Sequence, residues 1–227
     1  MAGERKHPKG LMVLFFTEVW ERYNYYGMRA ILVLFMTKTM LFDKVFSSNL
    51  YSSYTSLVYL TPLLGGYISD QYWGNKRSII VGGIVMALGE FVLFFCGSFY
   101  HSNPELSSLL FFTGLGIIIA GNGFFKPNIA SMVGQLYPKG DRRVDSAYTI
   151  FYMGINLGAA IGPIVSAFGI LATGILPIKE SSLPLLTFIV ILSNFMVTFF
   201  ISLTNVSRKA DLIKLPDQSL IPEVNFT

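Results

Sequence analysis

The chain has 227 residues, of which 52% are hydrophobic, 15% aromatic and only 13% charged, with a mean hydropathy of +0.55. Average soluble domains are about a quarter charged, so the composition points away from a soluble domain and toward the bilayer. The net charge of +4 does not mark a nucleic-acid partner, because the basic residues gather on one side of the predicted topology.

Apolar runs of about 20 residues are long enough to cross a hydrocarbon core of roughly 30 Å. Six are predicted, at about 11–40, 48–69, 78–99, 107–136, 146–176 and 183–204. The expected fold is an all-α membrane protein, a single six-transmembrane-helix bundle. The first, fourth and fifth runs are over-long for a perpendicular span, so tilting, kinking or projecting ends are expected. Residues 205–227 turn polar and carry prolines, and read as a tail or the start of a linker. No small-residue cleavage site follows the basic start, so no cleavable signal peptide is expected. One membrane side collects Arg5, Lys6, Lys9, Lys76, Arg77, Lys139, Arg142, Arg143, Arg208, Lys209 and Lys214, against Lys38, Lys44 and Lys179 on the other. The richer side is predicted to be cytoplasmic, with both termini inside.

The first span, FFTEVWERYNYYGMRAILVLFM, carries Glu18, Glu21, Arg22 and Arg29. An ionised side chain at the bilayer centre costs roughly 2.5–3.5 kcal/mol even on lenient insertion scales. Glu18, Arg22, Tyr25 and Arg29 recur at helical spacing and form one stripe, flanked by Glu21 and Tyr26. The opposite face, with Phe16, Val19, Ala30 and Val33, is mostly apolar. The stripe is therefore expected to face a cavity or the bundle interior, with Glu18 and Arg22 paired four residues apart.

In the second span Tyr59 is mid-helix, whereas Tyr51 and Tyr67 read as interfacial anchors. The connection that follows, GGYISDQYWGNKR, sets Asp70 before Gly74, Lys76 and Arg77. It reads as a conformational latch, with Gly74 permitting a tight turn. Glu90, alone on the third span, fits a coupling carboxyl and a protonated structural one equally well. Cys96 reads as a small buried residue, and a disulfide framework is excluded.

The fourth span contains GNGFFKPNIAS, with Lys126 immediately before Pro127. A kink is expected beside a lysine too far from either end to snorkel easily. The fifth span places Tyr148, Tyr152 and Asn156 on one polar face. Glycines four apart there, Gly154, Gly158 and Gly162, read as helix packing, as do Gly114, Gly116, Gly121 and Gly123 in the fourth span. No nucleophile–base pair or metal-ligand spacing is present, so neither an enzyme nor a cofactor or metal site is expected.

These motifs resemble the proton-coupled oligopeptide transporter family of the major facilitator superfamily. The resemblance rests on Glu18, Glu21, Arg22, Tyr26 and Gly27; on GGYISDQYWGNKR; on GNGFFKPNIASMVG with Lys126; and on FYMGINLGA, Phe151 to Ala159. It runs from about Lys9 to Phe168 and fades beyond. It implies the N-terminal half of that fold and proton-driven symport of di- and tripeptides by alternating access. Glu18, Glu21, Arg22 and Lys126 would be the proton-coupling group. Arg29, Tyr25, Tyr26, Tyr59, Tyr152 and Asn156 would hold the peptide. Family members have about twelve spans, so the resemblance implies a second six-helix half as partner, in a plasma or inner membrane. Ser52 stands where some relatives place a histidine, which favours a glutamate–lysine route. The alternatives are transport of another carboxylate-bearing solute, or a non-transporting membrane interaction protein derived from a transporter half.

Overall fold

The computed structural model describes residues 6–100 and 102–175. The sixth predicted span and the tail lie outside the described residues, as does Arg5. Among the described residues five long helices follow one another: α1 (Lys9–Leu34), α2 (Lys44–Ile68), α3 (Gly74–Phe99), α4 (Pro104–Gln135) and α5 (Arg143–Ile175). There is no strand among the described residues.

Two of the helix starts, those of α2 and α4, have a side-chain cap. The Asp43 carboxylate accepts from the backbone N–H groups of Val45 and Phe46 at 2.8 and 3.3 Å and so caps α2. Asn103 caps α4 by accepting from Leu106 N–H at 3.0 Å, with Pro104 at the first helical position. Asp43→Ala is expected to destabilise the fold by about 1 kcal/mol, seen as a lower melting temperature in detergent. Both α1 and α2 end in a π-helical turn, Phe35–Thr39 and Ser69–Trp73 respectively. The second turn runs directly into α3 through Gly74, whose φ of 72° falls in the region that favours glycine.

Among the described residues three helical stretches are long and apolar enough to cross a membrane: Lys44–Gly97, Pro104–Gln135 and Arg143–Phe168, at mean hydropathies of 2.4, 1.7 and 1.5. The first of these contains α2 and nearly all of α3. Helix α1, which holds five charged residues (Lys9, Glu18, Glu21, Arg22 and Arg29), is not among them. Its exposed side is apolar nonetheless, with Phe16, Trp20 and Val33 facing outward.

Two groups of helices build the core. Helix α3 packs most extensively on α4, with α2 on the other side of α4; helix α1 packs chiefly on α5. The α3–α4 contact is set by facing glycines. A Cβ on Gly82 would lie 2.7 Å from the Gly121 carbonyl oxygen, and one on Gly89 would lie 2.9 Å from that of Gly114. Such backbone approach is how helices associate where lipid supplies no hydrophobic drive. Helix α4 continues through Pro127, which cannot donate to the carbonyl of Gly123. Gly65 of α2 packs directly against that carbonyl, where any side chain would collide with it.

One apolar cluster, including Met28, Leu32, Phe35, Tyr54, Leu93, Cys96 and Phe111, joins α1 to α4. A second, including Leu11, Leu14, Ile79, Phe125, Val133 and Phe151, joins α1, α3, α4 and α5. Between them lies a polar layer at the level of Glu18, Glu21, Arg22 and Asn24, all buried.

Candidate functional site

The polar layer is the candidate site. Arg22 reaches back one turn to Glu18, Nε to Oε1 at 3.1 Å, and pairs with Glu21 beside it. All three are at most 5% exposed. One guanidinium thus serves two carboxylates, and the cluster as built carries one excess negative charge. Glu18 Oε2 and Arg22 Nη2 are buried with no hydrogen-bond partner. A buried, incompletely satisfied ionic group is costly, which is why such groups mark function more often than stability.

The expected stripe on α1 is present and extends up the helix. Arg29 is half-buried and held by aromatic rings. Its Nε and Nη2 donate to the Tyr51 hydroxyl at 2.9 and 2.6 Å. Its guanidinium carbon lies 5.3, 5.4 and 5.8 Å from the ring centroids of Tyr51, Tyr25 and Tyr26. Cation–π contacts of this kind orient a guanidinium without neutralising it.

Lys126, from α4, makes no ion pair among the described residues. Its Nζ sits 4.2 Å from the ring centroid of Tyr59 on α2. Glu18, Glu21, Arg22 and Arg29 all bear on it electrostatically from α1. Tyr152 and Asn156 are exposed on α5, with no side-chain bond to the α1 cluster among the described residues. The neighbouring Tyr148 bonds the Ala130 carbonyl of α4 at 3.4 Å. Tyr25, Tyr26, Tyr59 and Arg29 are therefore brought together around the cluster, while Tyr152 and Asn156 stand apart on an open face.

Three neighbours escape the sequence reading. Tyr51 appears there as an anchor, yet it is the hydrogen-bonding partner of Arg29. Asn24 goes unremarked, yet it is buried and donates from Nδ2 to Glu90 Oε1 at 3.3 Å. Tyr54 is 2% exposed between them in chain order, its hydroxyl unpartnered. Only Asn24 had an available signal, since it falls one helical turn after Glu21.

At the membrane side where α1 and α5 begin, Asp70 and Arg77 are exposed, Lys76 is half-buried, and no ion pair joins them among the described residues. A tighter cluster lies nearby. His7 Nδ1 and the Tyr137 hydroxyl are 2.7 Å apart, and Arg143 donates to the Lys6 carbonyl at 2.9 Å while pairing with Asp141. Burial raises the Tyr137 phenol above its ordinary value, with the nearby Arg143 guanidinium acting in the opposite sense.

The chain is similar to several known transporters. An uncharacterised transporter, YclF, of Bacillus subtilis (strain 168) is 43% identical over 164 residues, covering 70% of this chain and 32% of its own. A di-/tripeptide transporter of Lactococcus lactis subsp. lactis (strain IL1403) is 43% identical over 166 residues, covering 70% and 31%. The chain thus spans about a third of the length of the curated relatives it matches. A crystal structure of a POT peptide transporter in complex with alafosfalin superposes with a TM-score of 0.75 at 33% identity. That match covers 94% of this chain and 41% of the other. The sequence model of the POT family, a family of transporters and not of enzymes, matches residues 76–204, more than half of the chain. With a helical membrane fold, a buried carboxylate–guanidinium layer and this match together, the chain belongs to the POT family.

Proposed function

We propose that the chain forms one wall of a proton-coupled symporter of di- and tripeptides, working by alternating access against a second six-helix half in a plasma or inner membrane. The N-terminus and the α2–α3 and α4–α5 connections lie on the cytoplasmic side, as the concentration of lysine and arginine there supports. The observation that carries this reading is the buried Glu18–Arg22–Glu21 cluster, two carboxylates sharing one guanidinium in the middle of a membrane helix.

Protonating either carboxylate removes the excess charge and loosens one partner of Arg22, which biases the two packings of the bundle. The half-buried Arg29 guanidinium suits the peptide carboxylate, and the surrounding tyrosines offer adaptable contact to varied side chains. Tyr59, Tyr152 and Asn156 face the open side, where the second half would close over the peptide. Asp70, Gly74, Lys76 and Arg77 act as the latch between states. The Lactococcus relative, named a di-/tripeptide transporter, supports the substrate class. Arg29 also favours a second reading, another small solute bearing a carboxylate, which competition by free amino acids and organic acids separates from peptides.

The test is uptake of a labelled dipeptide into proteoliposomes under an inward proton gradient. Glu21→Gln is expected to bring accumulation down to the equilibrium level while leaving peptide counterflow intact. Accumulation unchanged by Glu21→Gln, and also by Lys126→Ala, would overturn the coupling assignment.

A further inference from the structure

Lys126 and Tyr59 meet where α2 packs on α4. Tyr59 and Lys126 stand on α2 and α4, which are locked together at this level. The Thr61 hydroxyl bonds both the Leu57 carbonyl of its own helix and the Ile119 carbonyl of α4, at 3.0 and 3.1 Å. The Gly65–Gly123 contact closes the same interface one turn further on. The ring and the ammonium are therefore presented to each other by a rigid pair of helices.

The charges around Lys126 make its position unexpected. Glu18, Glu21, Arg22 and Arg29, all on α1, are the charged groups that face it, and Tyr59 is the titratable group from α2. Glu18 Oε2 is buried and lacks any donor, yet the Lys126 ammonium rests on a ring that is itself 52% exposed. An unpaired acceptor and an unpaired cation thus occupy neighbouring sites without meeting.

We propose that Tyr59 is a positioning residue whose ring face holds the Lys126 ammonium away from the Glu18–Glu21 carboxylates, so that the cluster stays one positive charge short and accepts a proton. The proposal rests on the reading that this cluster carries the transported proton. With Lys126 on the ring, Arg22 alone faces two carboxylates, and one of them takes up a proton as a neutral acid. When Lys126 swings to Glu18 Oε2, two cations balance two carboxylates, and the acid gives its proton back to water. The strength of the ring contact sets the balance between the two positions, by roughly 2- to 30-fold for a cation–π interaction of ordinary strength. It is the ring, not the hydroxyl, that matters.

The test reads position and coupling separately. Lysines of the purified transporter are reductively methylated with carbon-13 formaldehyde, and the Lys126 signal is assigned by its loss in Lys126→Arg. In the wild type that signal is expected upfield, shifted by the Tyr59 ring. It should stay there in Tyr59→Phe and return to the exposed-lysine position in Tyr59→Leu. In uptake, Tyr59→Leu should move the pH midpoint of transport to lower pH, by up to about one unit for a tenfold change in the balance. Tyr59→Phe should keep the wild-type midpoint. An unshifted Lys126 signal alongside pH-driven uptake overturns the Tyr59 proposal alone. An upfield signal with uptake indifferent to pH overturns the proton-coupling reading, and the role of Tyr59 with it. If Phe and Leu raise the peptide KM equally and leave the midpoint unmoved, Tyr59 is a peptide contact through its hydroxyl and the proposal falls.

Discussion

Arg22→Met is expected to destabilise the protein by about 3–5 kcal/mol, the usual consequence of removing one partner from a buried ion pair. Arg22 is 3% exposed and is the guanidinium that both Glu18 and Glu21 contact. Without it, two carboxylates remain in a layer bounded above and below by apolar clusters. They must either stay ionised and unneutralised or take up protons from water. The measurement is thermal melting in detergent, which should fall steeply for the single variant. The informative control adds Glu18→Gln and Glu21→Gln to Arg22→Met. Removing all the charges together should recover most of the lost stability, because the cost lies in the unpaired carboxylates and not in the missing arginine. A single variant that melts with the wild type would show that the cluster is solvated in solution.

Gly158→Val has the second large expected effect, and it acts at the same level of the membrane. Any side chain at Gly158 collides with the Val19 carbonyl, and its Cβ would lie 2.8 Å from the Arg22 Cβ and 2.9 Å from the Tyr23 nitrogen. Backbone atoms cannot yield as a flexible side chain can, so α1 and α5 must separate. Overpacking of this kind costs about 1–3 kcal/mol. The separation also displaces the turn that carries Glu18, Glu21 and Arg22, so the pH dependence of uptake should change together with stability. Gly116→Val, at a glycine with open space around it, serves as the comparison and should change neither.

The helical pairing on α1 was legible because it needs only the 3.6-residue period: Glu18 and Arg22, four apart, do form the predicted ion pair. Glycines four apart on α5 likewise marked the face where backbones meet, whereas Gly116 of α4, read the same way, has open space around it. Contacts between helices were not legible in the same way. Asn24 and Glu90 are 66 positions apart, and no periodicity within either helix relates them. Tyr51 sits near the start of α2, where a tyrosine facing an arginine looks the same in sequence as one facing lipid headgroups. Tyr152 and Asn156 do share a face, but a shared face on one helix does not say which neighbour it meets. The two π-helical turns, Phe35–Thr39 and Ser69–Trp73, contain neither a glycine nor a proline that would have marked them in the sequence.

The polar layer also constrains how the protein enters its membrane. Among the described helices α1 is made before its partners, and alone it is a poor candidate for insertion, holding four charges in a stretch that must sit in hydrocarbon. The helix on which α1 chiefly packs is α5, whose Gly158 follows Arg22 by well over a hundred positions. At a synthesis rate of about 5–20 residues per second, α1 waits on the order of 10 s for that partner. The Glu18–Arg22 pair, one turn apart on a single helix, is the compensation α1 carries with it during that interval. The order of stable integration then differs from the order of synthesis: α1 lingers at the insertion machinery while α2 to α4 go in, and it is drawn into the bilayer when α5 arrives. A ribosome stalled before Gly158 should therefore leave α1 extractable by alkali, and one stalled after α5 should not.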